Sequence, residues 1–137
     1  MPDEASRNDL FAAVQRYFDL MYDSDVAQFD QVFHDSAQLH GFREGAMAVW
    51  SAAKFRDVLA SRPSPKSLHA PRREEPLLAD FASEAQAVVK VRVRINAVTF
   101  IDHLTFLRIG RDWRITSKAY HVESVEPKSG EGKAPPA

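Results

Sequence analysis

Asp102 stands inside Phe100-Ile101-Asp102-His103-Leu104-Thr105-Phe106, an alternating and otherwise apolar run. A carboxylate on the apolar side of a strand resists ionisation unless a partner compensates it, so this residue is a candidate acid. His40, in Leu39-His40-Gly41, and His121, where the last apolar run ends, carry imidazoles that titrate near neutral pH and are candidate bases. Each residue also has a structural role open to it. Asp102 can be a buried acceptor or the ion-pair partner of Arg92 or Arg94, His40 a hydrogen-bonded strand residue, and His121 a residue of the rim. The other histidines, His34, His69 and His103, complete no i, i+4 pair and no facial triad with a carboxylate, so no metal is expected. Five glycines form no phosphate-cradling loop, and no cofactor is expected either.

The frame that must position these groups is one domain, since 137 residues with 45% hydrophobic content support a single sizeable core. Eighteen basic and nineteen acidic residues are interspersed, which argues against nucleic acid and anionic membranes as partners. Cysteine is absent, and the polar start Met1-Pro2-Asp3-Glu4-Ala5-Ser6-Arg7 lacks the basic and apolar regions of a secretory signal. A cytoplasmic protein is expected.

Leu10, Phe11, Val14, Tyr17, Phe18 and Met21 recur at helical spacing and predict a first helix over 8–22. Tyr17 falls on its apolar face, where the ring packs and the hydroxyl needs a neighbour. Ser24 or Asp25 caps a second, shorter helix with Val26, Phe29, Val32 and Phe33 inward, ending near His34. A hairpin turning at Glu44-Gly45 follows, and then a third helix capped by Ser51 with Phe55, Val58 and Leu59 inward. Pro63, Pro65 and Pro71 close the helical half. Strands are predicted over 75–82, 85–95, 98–109 and 113–122, and the tail beyond 123 is too polar and too rich in Gly and Pro to pack. The first seven residues are read as flexible.

Gly110-Arg111 suits a two-residue type II′ turn, which pairs Asp112 with Ile109 and, counted outward without interruption, Ala119 with Asp102. One face would then carry Asp102, Leu104, Phe106, Trp113, Ile115, Ser117, Ala119 and His121. Arg92, Arg94, Lys118 and Tyr120 would occupy the other. Helices first and a meander afterwards indicate an α+β domain whose curved, cone-shaped sheet wraps around three helices and holds a cavity.

The order helix, helix, hairpin, helix and four long strands over residues 8–123 resembles the nuclear transport factor 2-like superfamily. Val32-Phe33-His34-Asp35-Ser36-Ala37-Gln38-Leu39-His40-Gly41 and Asp112-Trp113-Arg114-Ile115-Thr116-Ser117-Lys118 are most similar to its SnoaL-like, or putative lumazine-binding, members. Val14-Gln15-Arg16-Tyr17 and Ile101-Asp102-His103 are similar to the segments with which ketosteroid isomerases present a tyrosine and a protonated aspartic acid to a substrate oxygen. The resemblance implies an oxyanion hole of Tyr17 and Asp102. The aspartate base of those enzymes falls at Gly41, leaving His40 or His121 to take protons. The resemblance also implies a homodimer through the convex face of the sheet.

These readings give two functional expectations. The first is proton-transfer chemistry of isomerase, dehydratase or cyclase type on a small apolar or aromatic ring compound, with Trp50, Phe55, Leu104, Phe106 and Trp113 lining the cavity. The second is a noncatalytic ligand-binding or dimerisation module that has kept the cone.

Overall fold

The computed structural model describes residues 2–127, so the predicted tail lies outside the described residues beyond 127, while Ser124 and Val125, expected to belong to it, are instead paired as the end of the last strand. The helical repeat extends further than the apolar spacing alone indicates: α1 spans Glu4–Asp23, because the Asp3 carboxylate accepts the Ser6 N–H at 2.8 Å and caps the helix ahead of the apolar stripe. Residues 4–7, expected to be flexible, are thus its first turn. Ser24 ends it in the left-handed conformation, with its N–H bonded to the Leu20 carbonyl. Asp25 then caps a 3-10 turn, Val26–Gln28, which leads into the single-turn helix α2, Phe29–Val32.

The chain becomes a strand directly after α2, at Phe33. Strand β1 is Phe33–Arg43, and Glu44 and Gly45, both at positive φ, turn it into β2, Ala46–Ser51. Ser51 accepts the Lys54 N–H and starts α3, Ala52–Ser61. Beyond the proline-bearing segment come β3, Glu74–Ser83, β4, Gln86–Ile95, β5, Val98–Ile109, and β6, Asp112–Val125. They form one curved, unclosed mixed sheet of order β2-β1-β6-β5-β4-β3, in which only β1 and β6 are parallel. The helices pack on its inner face. There Val89, Val91 and Val93 alternate with outward Lys90, Arg92 and Arg94, and Phe33, Leu39, Phe55, Leu104, Phe106 and Ile115 complete the core.

Gly110 has positive φ and Arg111 does not, and Asp112 pairs with Ile109 as the two-residue turn requires. The uninterrupted count fails farther along. Ile115 faces Phe106, but Ser117 faces Thr105, so Thr116 is an extra residue and β6 reverses its facing there. Asp102 consequently pairs with Tyr120 and not with Ala119. Lys118 and Tyr120, expected outside, point inward and are buried, whereas Ala119 and His121 are exposed on the convex face.

Arg92 and Arg94 do lie on the convex face. Arg92 bonds Glu75 and Glu123, and Arg94 bonds Glu126, which rules them out as partners of Asp102.

Candidate functional site

Strand β5 brings Asp102 to the inner face opposite the middle of α1, and α1 directs Tyr17 at it. The Tyr17 hydroxyl donates to Asp102 Oδ2 at 2.5 Å, and both residues are fully enclosed. Lys118 Nζ, turned inward by the bulge, stands 3.8 Å from the same oxygen. Its ammonium lies 5.1 Å from the Tyr17 ring centre and 4.8 Å from that of Phe55, with Met21 Sδ at 3.9 Å. Rings therefore supply most of its surroundings, and they favour a cation through their negative faces.

The enclosure shifts every proton affinity at this centre. Burial pushes the Asp102 carboxyl above the usual carboxylate range, against the opposing pull of Lys118 and the Tyr17 hydrogen bond. Burial brings the Lys118 ammonium down to about 8, although Asp102 supports its charge. The Tyr17 phenol is driven well up by burial and by the acid beside it. Arg62, just past α3, is close enough to Tyr17 and Lys118 to act on both, and burial lowers its guanidinium to about 10. A hydroxyl, an acid and an amine thus share protons in an apolar enclosure, an arrangement suited to hydrogen-bonding or protonating an oxygen atom.

The sequence-derived residues divide by position. Tyr17 and Asp102 meet as expected, but Tyr17 donates to the acid itself, so the two are not parallel donors to a third atom. Phe55 joins them through Lys118, and Trp50, half-buried, stacks on Phe55 with ring centres 6.2 Å apart. Leu104 and Phe106 are core residues of the inner face. Trp113 pairs with Arg108, six residues along β5 from Asp102 and so roughly 20 Å away, and its ring meets Phe81. His40 and His121 are on the convex face, separated from Asp102 by the sheet, because Leu39 and Tyr120 take the inward positions beside them. With His103, Phe42 and Met47 they line an open depression of about 430 Å³.

Lys118 is the member that reading the strand by simple alternation misses. The available signal was Thr116-Ser117, two adjacent polar residues after Trp113 and Ile115, where an added residue restores Lys118 and Tyr120 to the inner face.

The family model described as putative lumazine-binding matches residues 5–121. The chain belongs to that family. Among solved structures it resembles a nuclear transport factor 2-like protein of unknown function from Silicibacter pomeroyi, at 22% identity and TM-score 0.76 over 90% of this chain and 100% of that one. A second such protein, from Shewanella baltica, aligns at 16% identity and TM-score 0.77 over 90% and 98% of the two chains. A ketosteroid isomerase-like protein from Erwinia carotovora atroseptica gives 13% identity and TM-score 0.65 over 85% and 95%. No curated protein matches. For this member of the putative lumazine-binding family the likeness establishes the nuclear transport factor 2-like fold, and the chemistry must be argued from its own residues. None of its described helices is long and apolar enough to cross a membrane.

Proposed function

We propose that the chain is a small-molecule binding protein that receives an apolar or aromatic ring compound between α1 and the sheet, with the Tyr17–Asp102–Lys118 group hydrogen-bonding and protonating an oxygen of that compound. The observation that carries this reading is the buried group itself. Three ionisable side chains in a core stabilise a fold less than apolar residues of the same volume would, so packing alone gives no account of them. Tyr17 fixes Asp102, Asp102 presents its acid to the ligand, and Lys118 supplies or takes up the proton. Lys118 replaces the histidines in this role, since it alone shares the enclosure. The class of chemistry is proton transfer of isomerase, dehydratase or cyclase type. A ligand enters by displacing the 62–73 segment, which begins beside the site at Arg62 and is held to α1 by Lys66 N–H to the Tyr22 carbonyl and by the Tyr22 hydroxyl to the Ala70 carbonyl.

A noncatalytic module is the second reading, favoured by the complete enclosure of the three groups, which line none of the larger depressions among the described residues. In either reading the convex depression is the contact of a homodimer: Phe42 and Met47, 73% and 63% exposed, stand at its edge.

The deciding experiment titrates 2-naphthol, a phenolic ring probe, into the protein and its Asp102→Asn and Tyr17→Phe variants. Binding by the wild type, weakened about tenfold or more in each variant, is the expected result for charge-assisted hydrogen bonds. Equal binding by all three removes the proton-handling role. No binding by the wild type leaves the noncatalytic module.

A further inference from the structure

The bulge at Thr116 turns Ala119 and His121 outward and sets a small residue between two histidines. Ala119 pairs with His40 of β1 on one side and with His103 of β5 on the other, so these two stand about 10 Å apart at their Cα atoms with only a methyl group between them. His121 is two residues along β6, roughly 7 Å from Ala119, on the same face. Histidines from three adjacent strands thus border the convex depression of about 430 Å³. Its floor is low where Gly41 and Ala119 lack bulk, and the exposed Phe42 ring rises beside it. That shape fits a second copy of itself about a two-fold axis. Among the described residues that line the depression there is no carboxylate, so two copies meet there without like charges while the imidazoles are neutral.

The neighbouring side chains do not supply a counter-charge. Lys90 of β4 pairs with His103 and adds a positive charge, while Val49 of β2 pairs with His40 and Ile101 of β5 with His121. Glu123 is within electrostatic reach of His121, but both its oxygens are engaged by Arg92, at 2.8 and 3.0 Å. Asp102 acts on His103 from the buried side of the sheet, where Lys118 already faces it.

We infer that the convex contact is a pH-sensitive joint: two copies associate through this depression while His40, His103 and His121 are neutral, and separate when these imidazoles take up protons. This rests on the homodimer contact argued above and specifies its control. Protonation would bring three imidazolium ions from each copy into one contact with no acid to pair them, which costs both desolvation and repulsion. Free histidine takes up its proton near pH 6.5, so each imidazole that the contact keeps neutral weakens association about tenfold as the pH falls from 7.5 to 5.5.

Sedimentation velocity of the full chain at pH 7.5 and 5.5, at equal ionic strength, tests this. Wild type is expected to be dimeric at pH 7.5, with a dissociation constant raised at least about a hundredfold at pH 5.5, as two such imidazoles already require. Its far-ultraviolet circular dichroism should be the same at both values, and dissociation accompanied by loss of secondary structure overturns the inference. The triple variant His40→Gln, His103→Gln, His121→Gln is expected to remain dimeric at both. Wild type equally dimeric at both values, or a triple variant that dissociates on acidification as wild type does, overturns the switch and leaves the contact standing. Wild type that is monomeric throughout overturns both. Should the triple variant fail to dimerise at pH 7.5, the single variants decide: each should flatten the plot of log Kd against pH, and three unchanged slopes overturn the assignment.

Discussion

Lys118 Nζ and Tyr17 Oη converge on a single oxygen of Asp102, at 3.8 Å and 2.5 Å, from a strand and a helix that are far apart in sequence. The acid is thereby held by one neutral donor and one cation. Asp102→Asn leaves the ammonium buried without its counter-charge, and Lys118→Met leaves the carboxyl without its cation; neutralising either group is costly at pH 7, so each change should cost about 3–5 kcal/mol. Urea unfolding of both variants and of the double variant Asp102→Asn/Lys118→Met measures the coupling: the double variant should lose less than the sum of the two, and additive losses would contradict this account.

The pH dependence of stability follows from Lys118. Its proton leaves at about 8 in the folded chain and near 10.5 in the unfolded one, so between these values the unfolded state binds more protons. Stability attributable to this group must therefore rise with pH from about 8, by at most about 1.4 kcal/mol per unit. Tyr17, pushed well above 10, works in the opposite direction only beyond pH 10. Denaturation midpoints at pH 7.5 and 9.5 should show a gain in wild type that Lys118→Met lacks.

Gly41 gives a prediction from space alone, since its φ is not positive. Gly41→Ala should destabilise by about 1–3 kcal/mol through the contact with the Tyr120 ring, and a smaller residue at 120 should relieve most of that loss. Thermal unfolding of Gly41→Ala, Tyr120→Ala and the pair tests this, additive losses being the contrary result.

On the convex face, Phe42→Glu places a charge at the depression shared with Met47, His40, His103 and His121. Sedimentation velocity should show a dimer for wild type and a monomer for the variant. The melting temperature should rise with protein concentration in the wild type and be independent of it in the variant, as loss of a dimer requires.

Much of the fold was legible because its signals are local: the apolar repeat of α1, Ser51 at the start of α3, the prolines after it, and Gly110 at the last turn each act within a few residues. The Tyr17–Asp102 contact was legible through a family resemblance, and the burial of Asp102 through its apolar neighbours. Lys118 was not, because its inward placement depends on the bulge at Thr116, which is set by how β6 meets both β5 and β1. His40 and His121 were misplaced by related errors: the first followed motif proximity to Gly41, the second the count that the bulge interrupts.

Strand β6 is thus written in two phases, odd-numbered residues inward before Thr116 and even-numbered ones after it. A relative that lacks one residue at this point would send its counterpart of Lys118 into water and bring the counterpart of His121 inside, with every amino acid otherwise identical. Among such proteins, inheritance of the interior amine is governed by strand length as much as by residue identity, and a gap of one in an alignment there marks a change of chemistry.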